Sequence, residues 1–301
     1  MKSGRFVILP NMNYQESVSI IVPCFNSGLT LDKAIESLVN QDWTNKEIII
    51  VDDGSTDIHT LNQILKVKKY PYVKLITQKN KGLANARNTG IRKATGSYVV
   101  FLDSDDWLDS NAISSMVKAF KSSKEAAVIF SDIKLTGENI KLKKTFSNGF
   151  EQLFSNQLPY CMFFPKFLFE QYGGYDENLK LGLEDWDLNI RLILGKQKFL
   201  KLSEPVFNYN ISNLGMLKSQ TMKSYVYIWR YIRNKYNNAY SLGNLYQLYR
   251  ANMHEPANRS LKIYFFYWLV LSFVPQRPGN ALIYYLSKYR NIFLSNKSSK
   301  K

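Results

Sequence analysis

The sequence is poor in the residues that build disulfide frameworks and zinc sites. Its 301 residues include two cysteines and two histidines, and Cys24 and Cys161 lie far apart without the spacing of metal ligands. We therefore expect neither a disulfide scaffold nor a zinc site, and this cysteine usage suits a reducing, cytoplasmic location. Residues 1–15 lack the long apolar core of a secretory signal, which favours the same location.

Two common nucleotide-binding loops are also missing. The sequence contains neither a Gly-x-Gly-x-x-Gly segment nor the Gly-Lys-Ser/Thr of a phosphate-binding loop. Both loops bind phosphate through backbone N–H groups at the start of a helix. Dinucleotide-dependent oxidoreductases and P-loop enzymes therefore lose support.

Acidic residues are nearly absent from the C-terminal part of the chain. From residue 221 onward there are thirteen lysines and arginines but a single acid, Glu255, so this part carries most of the formal net charge of +16. We predict a nearly balanced domain over residues 1–220 and a basic helical extension over residues 221–301. Such an extension attracts anionic partners, namely acidic lipid, an acidic substrate or nucleic acid.

Two stretches of this extension bear on its partner. Residues 225–233 interleave aromatic and basic side chains, a composition that suits single-stranded nucleic acid or an amphipathic helix on anionic lipid. Residues 263–274 are apolar and uncharged but shorter than the roughly 20 residues of a spanning helix, so they form a buried helix or one that dips into a membrane. A helical subdomain packed on the core is the alternative. Among partners we favour an anionic membrane surface and do not expect nucleic acid.

Short apolar runs alternate with helical patterns in the first hundred residues, which is typical of βαβ units in an α/β fold. The runs at 18–22, 48–51, 73–76 and 98–102 predict buried parallel strands, and residues 31–39 and 83–94 predict helices. Further along, we predict strands at 126–130 and 199–202, loops or edge strands over 133–158, and a helix over 183–194.

Polar side chains follow three of the four predicted strands. These clusters are residues 23–26 (Pro-Cys-Phe-Asn), 52–55 (Asp-Asp-Gly-Ser) and 103–106 (Asp-Ser-Asp-Asp). In open parallel sheets, ligands bind beyond the carboxyl ends of the strands. We therefore expect the three clusters to converge on one rim of the sheet and to form a binding site there.

The acids at 103–106 predict a cation site. Closely spaced carboxylates repel one another unless protons or a cation lie between them, and hard oxygen ligands suit Mg²⁺ or Mn²⁺. The alternative is a solvated helix N-terminus with Asp109 or Ser110 as its cap. A calcium loop starting at Asp103 is excluded by Leu108 and Ser114, which occupy the positions that require Gly and Glu.

Two helix starts carry further candidate residues. Residues 80–88 contain Lys81 and Arg87, which form either a cationic patch for a nucleotide or ordinary solvated charge. In the helix at 183–194, we predict an inward apolar stripe and an outward pair of Asp187 with Arg191. Asp185 belongs to neither set, so it serves either as a complement to the helix dipole or as a base that takes a proton from a hydroxyl group.

Six segments occurring in one order resemble the family 2 glycosyltransferases. The resemblance covers residues 18 to 210 and implies the GT-A nucleotide-diphospho-sugar transferase fold, a Rossmann-like mixed sheet with flanking helices. The segments are 18–26 (VSIIVPCFN), 51–57 (VDDGSTD), 80–88 (NKGLANARN), 101–106 (FLDSDD), 173–177 (GGYDE) and 183–187 (LEDWD).

The resemblance implies a role for each matching position. Asp185 matches the catalytic base of inverting members, and Asp103 and Asp105 match the motif that holds Mn²⁺ or Mg²⁺ across the diphosphate of the nucleotide-sugar donor. Glu184 and Trp186 are the expected acceptor contacts. The acceptor is expected to be a glycan or a lipid-linked hydroxyl on the cytoplasmic face of the membrane, in surface polysaccharide synthesis. The donor-binding positions are Pro23, Asn26, Asp53, Arg87, Asp103 and Asp106.

One position departs from the family pattern. Many members carry a histidine near the diphosphate after the last core strand, whereas the corresponding residues 207–213 contain none. Asn210, Asn213 and Lys218 are the candidates to replace it. Two alternatives stay open: a non-catalytic module of the same fold that binds a nucleotide or glycan, and a nucleic-acid-binding protein suggested by charge alone.

Overall fold

The computed structural model describes residues 16–254 apart from 68, 138–139 and 212–223, together with residues 273 and 275. The strands are β1 (Val18–Cys24), β2 (Lys46–Asp52), β3 (Val73–Thr77), β4 (Tyr98–Phe101), β5 (Trp107–Leu108), β6 (Val128–Phe130), β7 (Ile133–Thr136), β8 (Lys141–Lys143), β9 (Phe163–Pro165), β10 (Phe199–Lys201) and β11 (Phe207–Asn210). The helices are α1 (Leu31–Val39), α2 (Ile58–Val67), α3 (Leu83–Lys93), α4 (Ala112–Ser122), α5 (Gly149–Gln152), α6 (Lys166–Gln171), α7 (Glu184–Leu194), α8 (Tyr225–Lys235) and α9 (Leu242–Asn252).

The main sheet has seven strands in the order β10-β6-β9-β4-β1-β2-β3. β1 lies between β2 and β4 and runs parallel to both, with Ile20 opposite Ile48 and Val100. β9 runs antiparallel to β4 and to β6, so the sheet is mixed. The predicted α/β class with a mixed sheet and flanking helices is confirmed.

β1 is the centre of the core, because every one of its seven residues is buried. The helix α3 lies unusually close to it: a Cβ built on Gly90 would lie 2.4 Å from Cγ2 of Ile21. The absence of a side chain at this position lets the helix approach the sheet. Because β1, β2 and β4 are parallel, their carboxyl ends share one edge, from which the three polar clusters emerge.

β3 differs from its prediction as a buried strand. It is an edge strand of the main sheet, and its residues are half-buried or exposed. Among the described strands only β2 pairs with it, so one side of the strand has no described neighbour to cover it. The prediction from apolar content was wrong about burial and right about the strand and its parallel direction.

A second sheet has four strands in the order β5-β11-β7-β8. β5 begins directly after residues 103–106, which places the acidic turn between the two sheets. Between residues 133 and 158, β8 is an edge strand as expected, whereas β7 pairs with both β11 and β8 and is therefore an interior strand. The short helix α5 in the same segment was not predicted.

The helix α7 lies between two apolar clusters. Leu188 and Leu192 pack in the cluster of the main sheet, whereas Trp186 and Ile190 pack in a second cluster with α8. The predicted ion pair between Asp187 and Arg191 forms at 2.8 Å. Its predicted exposure is wrong, because α8 covers Asp187.

Contacts from Lys235, the last residue of α8, and from Tyr236, which directly follows it, explain the burial of Asp187. Lys235 Nζ lies 2.8 Å from Asp187 Oδ1, and the hydroxyl group of Tyr236 donates a hydrogen bond of 2.7 Å to the same oxygen. Lys235 also forms an ion pair of 2.6 Å with Asp176. These contacts join α8 to α7 and to the loop that precedes it.

The aromatic and basic stretch at residues 225–233 lies in α8. Val226, Trp229 and Ile232 are buried in the second cluster, so here the alternative of a helix packed on the core is the observed one. Within the described ranges, no helix is both long enough and apolar enough to cross a bilayer. Except for Phe273, the run at 263–274 lies outside the described residues, as does the predicted boundary between residues 220 and 221; the boundary stays a prediction.

Candidate active site

The loop after β1 is fixed to the loop after β2 by Asn26. Its backbone has a φ of 50°, a left-handed conformation that asparagine tolerates better than most residues. The side-chain oxygen of Asn26 accepts hydrogen bonds from the backbone N–H groups of Thr56 (2.9 Å) and Asp57 (3.0 Å). Pro23 lies just before this loop, buried in β1 opposite Val51.

Asp53 organises the loop between β3 and α3. Its buried carboxylate accepts hydrogen bonds from the backbone N–H groups of Lys81 (2.9 Å) and Gly82 (2.8 Å) and from Gln78 Nε2 (2.7 Å). Hydrogen bonds to a carboxylate are roughly twice as strong as those between neutral groups. Asp53 therefore holds the start of α3 against the end of β2, on the same rim as Asn26.

The acids at 103–106 form a tight turn directly after β4. The backbone N–H of Asp106 donates to the carbonyl oxygen of Asp103 at 3.1 Å. Carboxylate oxygens of Asp103, Asp105 and Asp106 all lie within 4.8 Å of one another. In the described part of the chain, Asp105 is the member of this trio that accepts no hydrogen bond from another residue.

The electrostatics of this turn favour a cation. Burial and the charge of Asp103 raise the pKa of Asp105 to about 6. Burial and the charges of Asp105 and Asp103 raise the pKa of Asp106 well above its usual range. Three hard oxygen donors whose charges repel one another fit Mg²⁺ or Mn²⁺, which would relieve that repulsion. The donor set is thus suited to the predicted metal.

Tyr160 supports two of these acids through one hydroxyl group. The hydroxyl oxygen accepts a 3.0 Å hydrogen bond from the backbone N–H of Asp103, and the hydroxyl donates to Asp106 Oδ2. The other oxygen of Asp106 accepts the backbone N–H of Asn210 at 2.7 Å. Asn210, a predicted substitute for the missing histidine, therefore lies against the acidic turn, whereas Asn213 and Lys218 fall outside the described residues.

Arg87 connects the acidic turn to α7. Its guanidinium group is buried, donates to Asp103 from one nitrogen and to Glu184 from another, and lies 4.9 Å from the ring centre of Tyr160. The two acids raise the pKa of Arg87, against the effect of burial. The structure brings Arg87 to the predicted site but encloses it between protein carboxylates.

The start of α7 presents three predicted residues in different environments. Gly182 and Leu183 both have positive φ angles, 97° and 65°, and this bend turns the chain into the helix. Asp185 is half-buried; its Oδ1 accepts the backbone N–H of Trp186 at 2.8 Å, and its Oδ2 accepts Asn156 Nδ2 at 2.7 Å. Burial raises the pKa of Asp185.

The two expected acceptor contacts lie in the interior. The ring of Trp186 is fully buried, stacks on Tyr225 at 5.7 Å and donates its Nε1–H to the carbonyl oxygen of Gln152. The prediction that Trp186 contacts the acceptor substrate is therefore wrong, because the helix directs this side chain into the second apolar cluster. Glu184 is also buried and holds Arg87, and burial raises its pKa to about 7.

Several residues of this region were missed from the sequence. Tyr160 lies in an apolar run without polar neighbours, and Asn156 lies in a segment predicted only as loop or edge strand. Glu177, which accepts amide donors from Asn85 and Asn88, belongs to the segment 173–177 that carried the resemblance. Of these residues, only Glu177 could have been identified from the sequence, because it lies in a segment that carried the resemblance.

Known proteins resemble this chain in sequence and in fold. Residues 19–171 match the family described as Glycosyl transferase family 2. The minor teichoic acid biosynthesis protein GgaB of Bacillus subtilis (strain 168) is 31% identical over 225 residues, which cover 70% of this chain and 25% of GgaB. The chain spans about a quarter of the length of such curated relatives.

Two solved structures share the fold. Residues 1–349 of S. aureus TarS in complex with UDP-GlcNAc superpose with a TM-score of 0.66 at 20% identity, covering 79% of this chain and 71% of that one. The mannosyltransferase PcManGT from Pyrobaculum calidifontis, in complex with GDP-Man and Mn²⁺, superposes with a TM-score of 0.52 at 18% identity, covering 95% and 81%. At such identities the likeness establishes the fold alone.

Proposed function

The chain belongs to glycosyl transferase family 2, and we propose that it transfers a sugar from a nucleoside-diphosphate donor to an acceptor hydroxyl, with inversion at the anomeric carbon. The observation that carries this proposal is the continuous polar connection across the rim. It runs from the acidic turn through Asp103, Arg87 and Glu184 to the start of α7, where Asp185 follows. A donor site and a base site are thereby held in one fixed geometry.

The donor is proposed to lie along the carboxyl ends of β1, β2 and β4. Pro23, Asn26 and Asp53 form the side that receives the nucleoside. Asp103 and Asp105, with Asp106 beside them, would hold Mn²⁺ or Mg²⁺ at the diphosphate, and such an ion neutralises charge on the departing phosphates. Arg87 acts as a positioning residue, because its two ion pairs fix Asp103 relative to α7.

Asp185 is proposed as the general base. Its carboxylate takes the proton of the acceptor hydroxyl as the oxygen of that hydroxyl forms a bond to the anomeric carbon. The bond between that carbon and the β-phosphate oxygen breaks, and its electron pair leaves with the nucleoside diphosphate. A pKa raised by burial suits this role, since a stronger base accepts the proton more readily.

The nature of donor and acceptor is supported by the relatives. TarS binds UDP-GlcNAc in its crystal structure, and PcManGT binds GDP-Man with Mn²⁺. GgaB takes part in minor teichoic acid biosynthesis. We propose a glycan or lipid-linked acceptor in surface polysaccharide synthesis, with the enzyme on the cytoplasmic face of the membrane.

One assay tests both the proposed activity and the proposed base. It compares the unaltered protein with a variant of Asp185. The protein is incubated with a panel of nucleotide sugars, Mn²⁺ or Mg²⁺ and membrane lipid extract, and release of nucleoside diphosphate is followed. We expect release with one class of donor. Asp185→Asn should keep donor binding by calorimetry while transfer falls at least about a hundredfold, because an amide cannot accept the proton.

The matched control is Glu125→Gln, which removes one exposed carboxylate far from the rim and should leave transfer unchanged. Unchanged transfer by Asp185→Asn would remove Asp185 as the base. Donor binding without any release, by the unaltered protein and with every acceptor, would instead favour the non-catalytic module.

A further inference from the structure

Asn156 contacts the proposed base through a directional chain of amide hydrogen bonds. It lies four residues after Gln152, the last residue of α5. Its Nδ2 donates to Asp185 Oδ2 at 2.7 Å, while its Oδ1 accepts from Gln152 Nε2 at 2.7 Å and from Asn189 Nδ2 at 3.0 Å. One neutral side chain therefore links α5 to two residues of α7.

The direction of this chain is fixed from its far end. The backbone N–H of Gln157 can only donate, and it donates to Gln152 Oε1 at 2.9 Å. The amide nitrogen of Gln152 must then face Asn156, so the oxygen of Asn156 faces Gln152. Its nitrogen consequently faces Asp185, because an amide presents its donor and acceptor on opposite sides.

A second amide enforces the same orientation. Asn189 is fully buried in α7, and it donates to Asn156 Oδ1 although its own side-chain oxygen has no hydrogen-bond partner among the described residues. An unpaired buried oxygen costs free energy. Oδ1 of Asn156 thus receives a hydrogen bond from Asn189, whereas Oδ1 of Asn189 itself receives none from a described residue. The Nδ2–H group of Asn156 therefore faces Asp185.

We infer that Asn156 is the positioning residue of the base: its Nδ2–H fixes the carboxylate of Asp185 and stabilises its ionised form, while its own orientation is locked by Gln152 and Asn189. This inference rests on the proposed role of Asp185. A carboxylate oxygen can accept a second hydrogen bond, so Oδ2 stays able to accept the acceptor hydroxyl.

The charges around Asp185 explain why a neutral donor suits this position. Arg87 stabilises the ionised carboxylate, whereas Asp103 and the adjacent Glu184 oppose it, and the hydroxyl groups of Tyr175 and Tyr209 also face this group. A cationic donor at residue 156 would place a second positive charge near Asp185, in addition to Arg87. It would lower the pKa of Asp185 and so weaken it as a base. A neutral amide orients the carboxylate with a smaller loss of basicity.

Asn156→Asp is the sharpest variant because it has nearly the same shape. Its carboxylate can still accept from Gln152 and Asn189, but it offers no N–H to Asp185. Loss of a donor to the ionised form, together with a nearby negative charge, raises the pKa of Asp185. The acid limb of the rate profile requires ionised Asp185, so it moves to higher pH by about one unit or more.

The expected kinetic effect is on kcat. At pH 7 kcat should fall about tenfold to a hundredfold, as for the loss of a hydrogen bond to a charged group, and the KM for donor should stay unchanged. At high pH kcat should recover in part, because Asp185 is then ionised in the variant as well. Asn156→Ala should show a smaller shift, since water can enter and donate in place of the amide.

Two readouts test this on the full chain. Protein labelled with ¹³C at aspartate carboxyl carbons is titrated by NMR, with Asp185→Asn assigning the signal, and nucleoside diphosphate release is measured over the same pH range. Asn237→Asp is the control, because it makes the same change at an exposed residue. It should move neither readout.

The outcomes separate the inference from the proposed function. An unshifted Asp185 titration in Asn156→Asp and in Asn156→Ala overturns the inference, whether or not the protein transfers sugar. A shifted titration with kcat unchanged at every pH also overturns it. A shifted titration in a protein that releases nothing from any donor supports the contact between Asn156 and Asp185 and overturns the proposed function.

Discussion

Tyr160 shows how a single residue prepares the acidic turn. One hydroxyl group meets the backbone of Asp103 and the side chain of Asp106, so the acids are held in place before any ligand arrives. Burial and the nearby acids raise the pKa of this tyrosine, which keeps its proton on the hydroxyl group. The proton is therefore available to Asp106 throughout the neutral pH range.

Removing this hydroxyl group should weaken metal binding. In Tyr160→Phe, Asp106 loses a donor to its buried carboxylate and becomes easier to protonate, so protons compete better with the ion. We expect Mn²⁺ affinity to fall about tenfold to a hundredfold, as for loss of other groups that support metal ligands. Titration by electron paramagnetic resonance measures it. Tyr227→Phe, at an exposed tyrosine, is the control, and equal affinity in both variants would contradict the role of Tyr160.

The residues of the site differ in how visible they are in the sequence. The acids at 103–106 follow a buried strand, so their position on the rim could be predicted. The partners could not: Glu184 is 97 residues from Arg87, and Tyr236 is 49 residues from Asp187. Such pairs form because elements distant in the sequence pack together, and the spacing of residues along the chain does not predict them. Asp187 was consequently placed on the wrong side of its helix.

At the scale of elements, the contact between α3 and β1 sets the position of the loop that Asp53 holds. Gly90 allows this contact because it has no side chain at the interface with Ile21. The helix also carries Arg87 one turn earlier. A helix displaced from the sheet would therefore move both the nucleotide side of the rim and the connection to α7.

Gly90→Ala should destabilise the fold. Its Cβ would lie 2.4 Å from Cγ2 of Ile21 and 3.2 Å from Cγ2 of Val51, both in buried strands, and such overpacking costs about 1–3 kcal/mol. Gly243→Ala is the matched control, because no atom of the described residues lies within 4 Å of its added Cβ. It should leave the free energy of unfolding unchanged or raise it by up to about 1 kcal/mol. Urea unfolding measures both; equal changes would show that the close approach does not exist.

Elements with a strong local pattern were predicted well. β1, β2 and β4 are each built around a continuous apolar run, and α1 and α3 have regular apolar spacing, so their limits agree with the prediction to within about two residues. β9 was missed because residues 158–169 are largely apolar and show no period. β9 lies antiparallel between β4 and β6, and β3 lies at an edge of the sheet. Both positions are determined by tertiary packing and not by the local sequence.

Over the whole molecule, positive charge is concentrated after residue 220. The part of this region in α8 packs its apolar side on the protein core, so an apolar contact with lipid is not available there. Attraction of α8 to a membrane would then depend on charge and would be screened by salt.

Charge reversal tests this at the level of the intact protein. The protein should bind vesicles containing phosphatidylglycerol at low salt, bind neutral phosphatidylcholine vesicles weakly, and dissociate at high salt. The triple variant Lys297→Glu, Lys300→Glu, Lys301→Glu should lower vesicle affinity at least about tenfold. The control Lys93→Glu, Lys118→Glu, Lys124→Glu makes the same charge change on exposed helix and loop residues that precede residue 220. Equal losses in both variants would refute a specific role for the extension.

The position of α7 between two apolar clusters has a consequence for timing. The helix that carries Asp185 packs one side on strands formed early in the chain, but Trp186 and Ile190 need α8, whose last residue is Lys235. A ribosome-bound chain that has not yet released α8 lacks the part of the second cluster that α8 supplies to this helix. We therefore expect a nascent chain to acquire its donor rim first and a correctly held base only after α8 has left the ribosome, so that sugar transfer does not begin before that point.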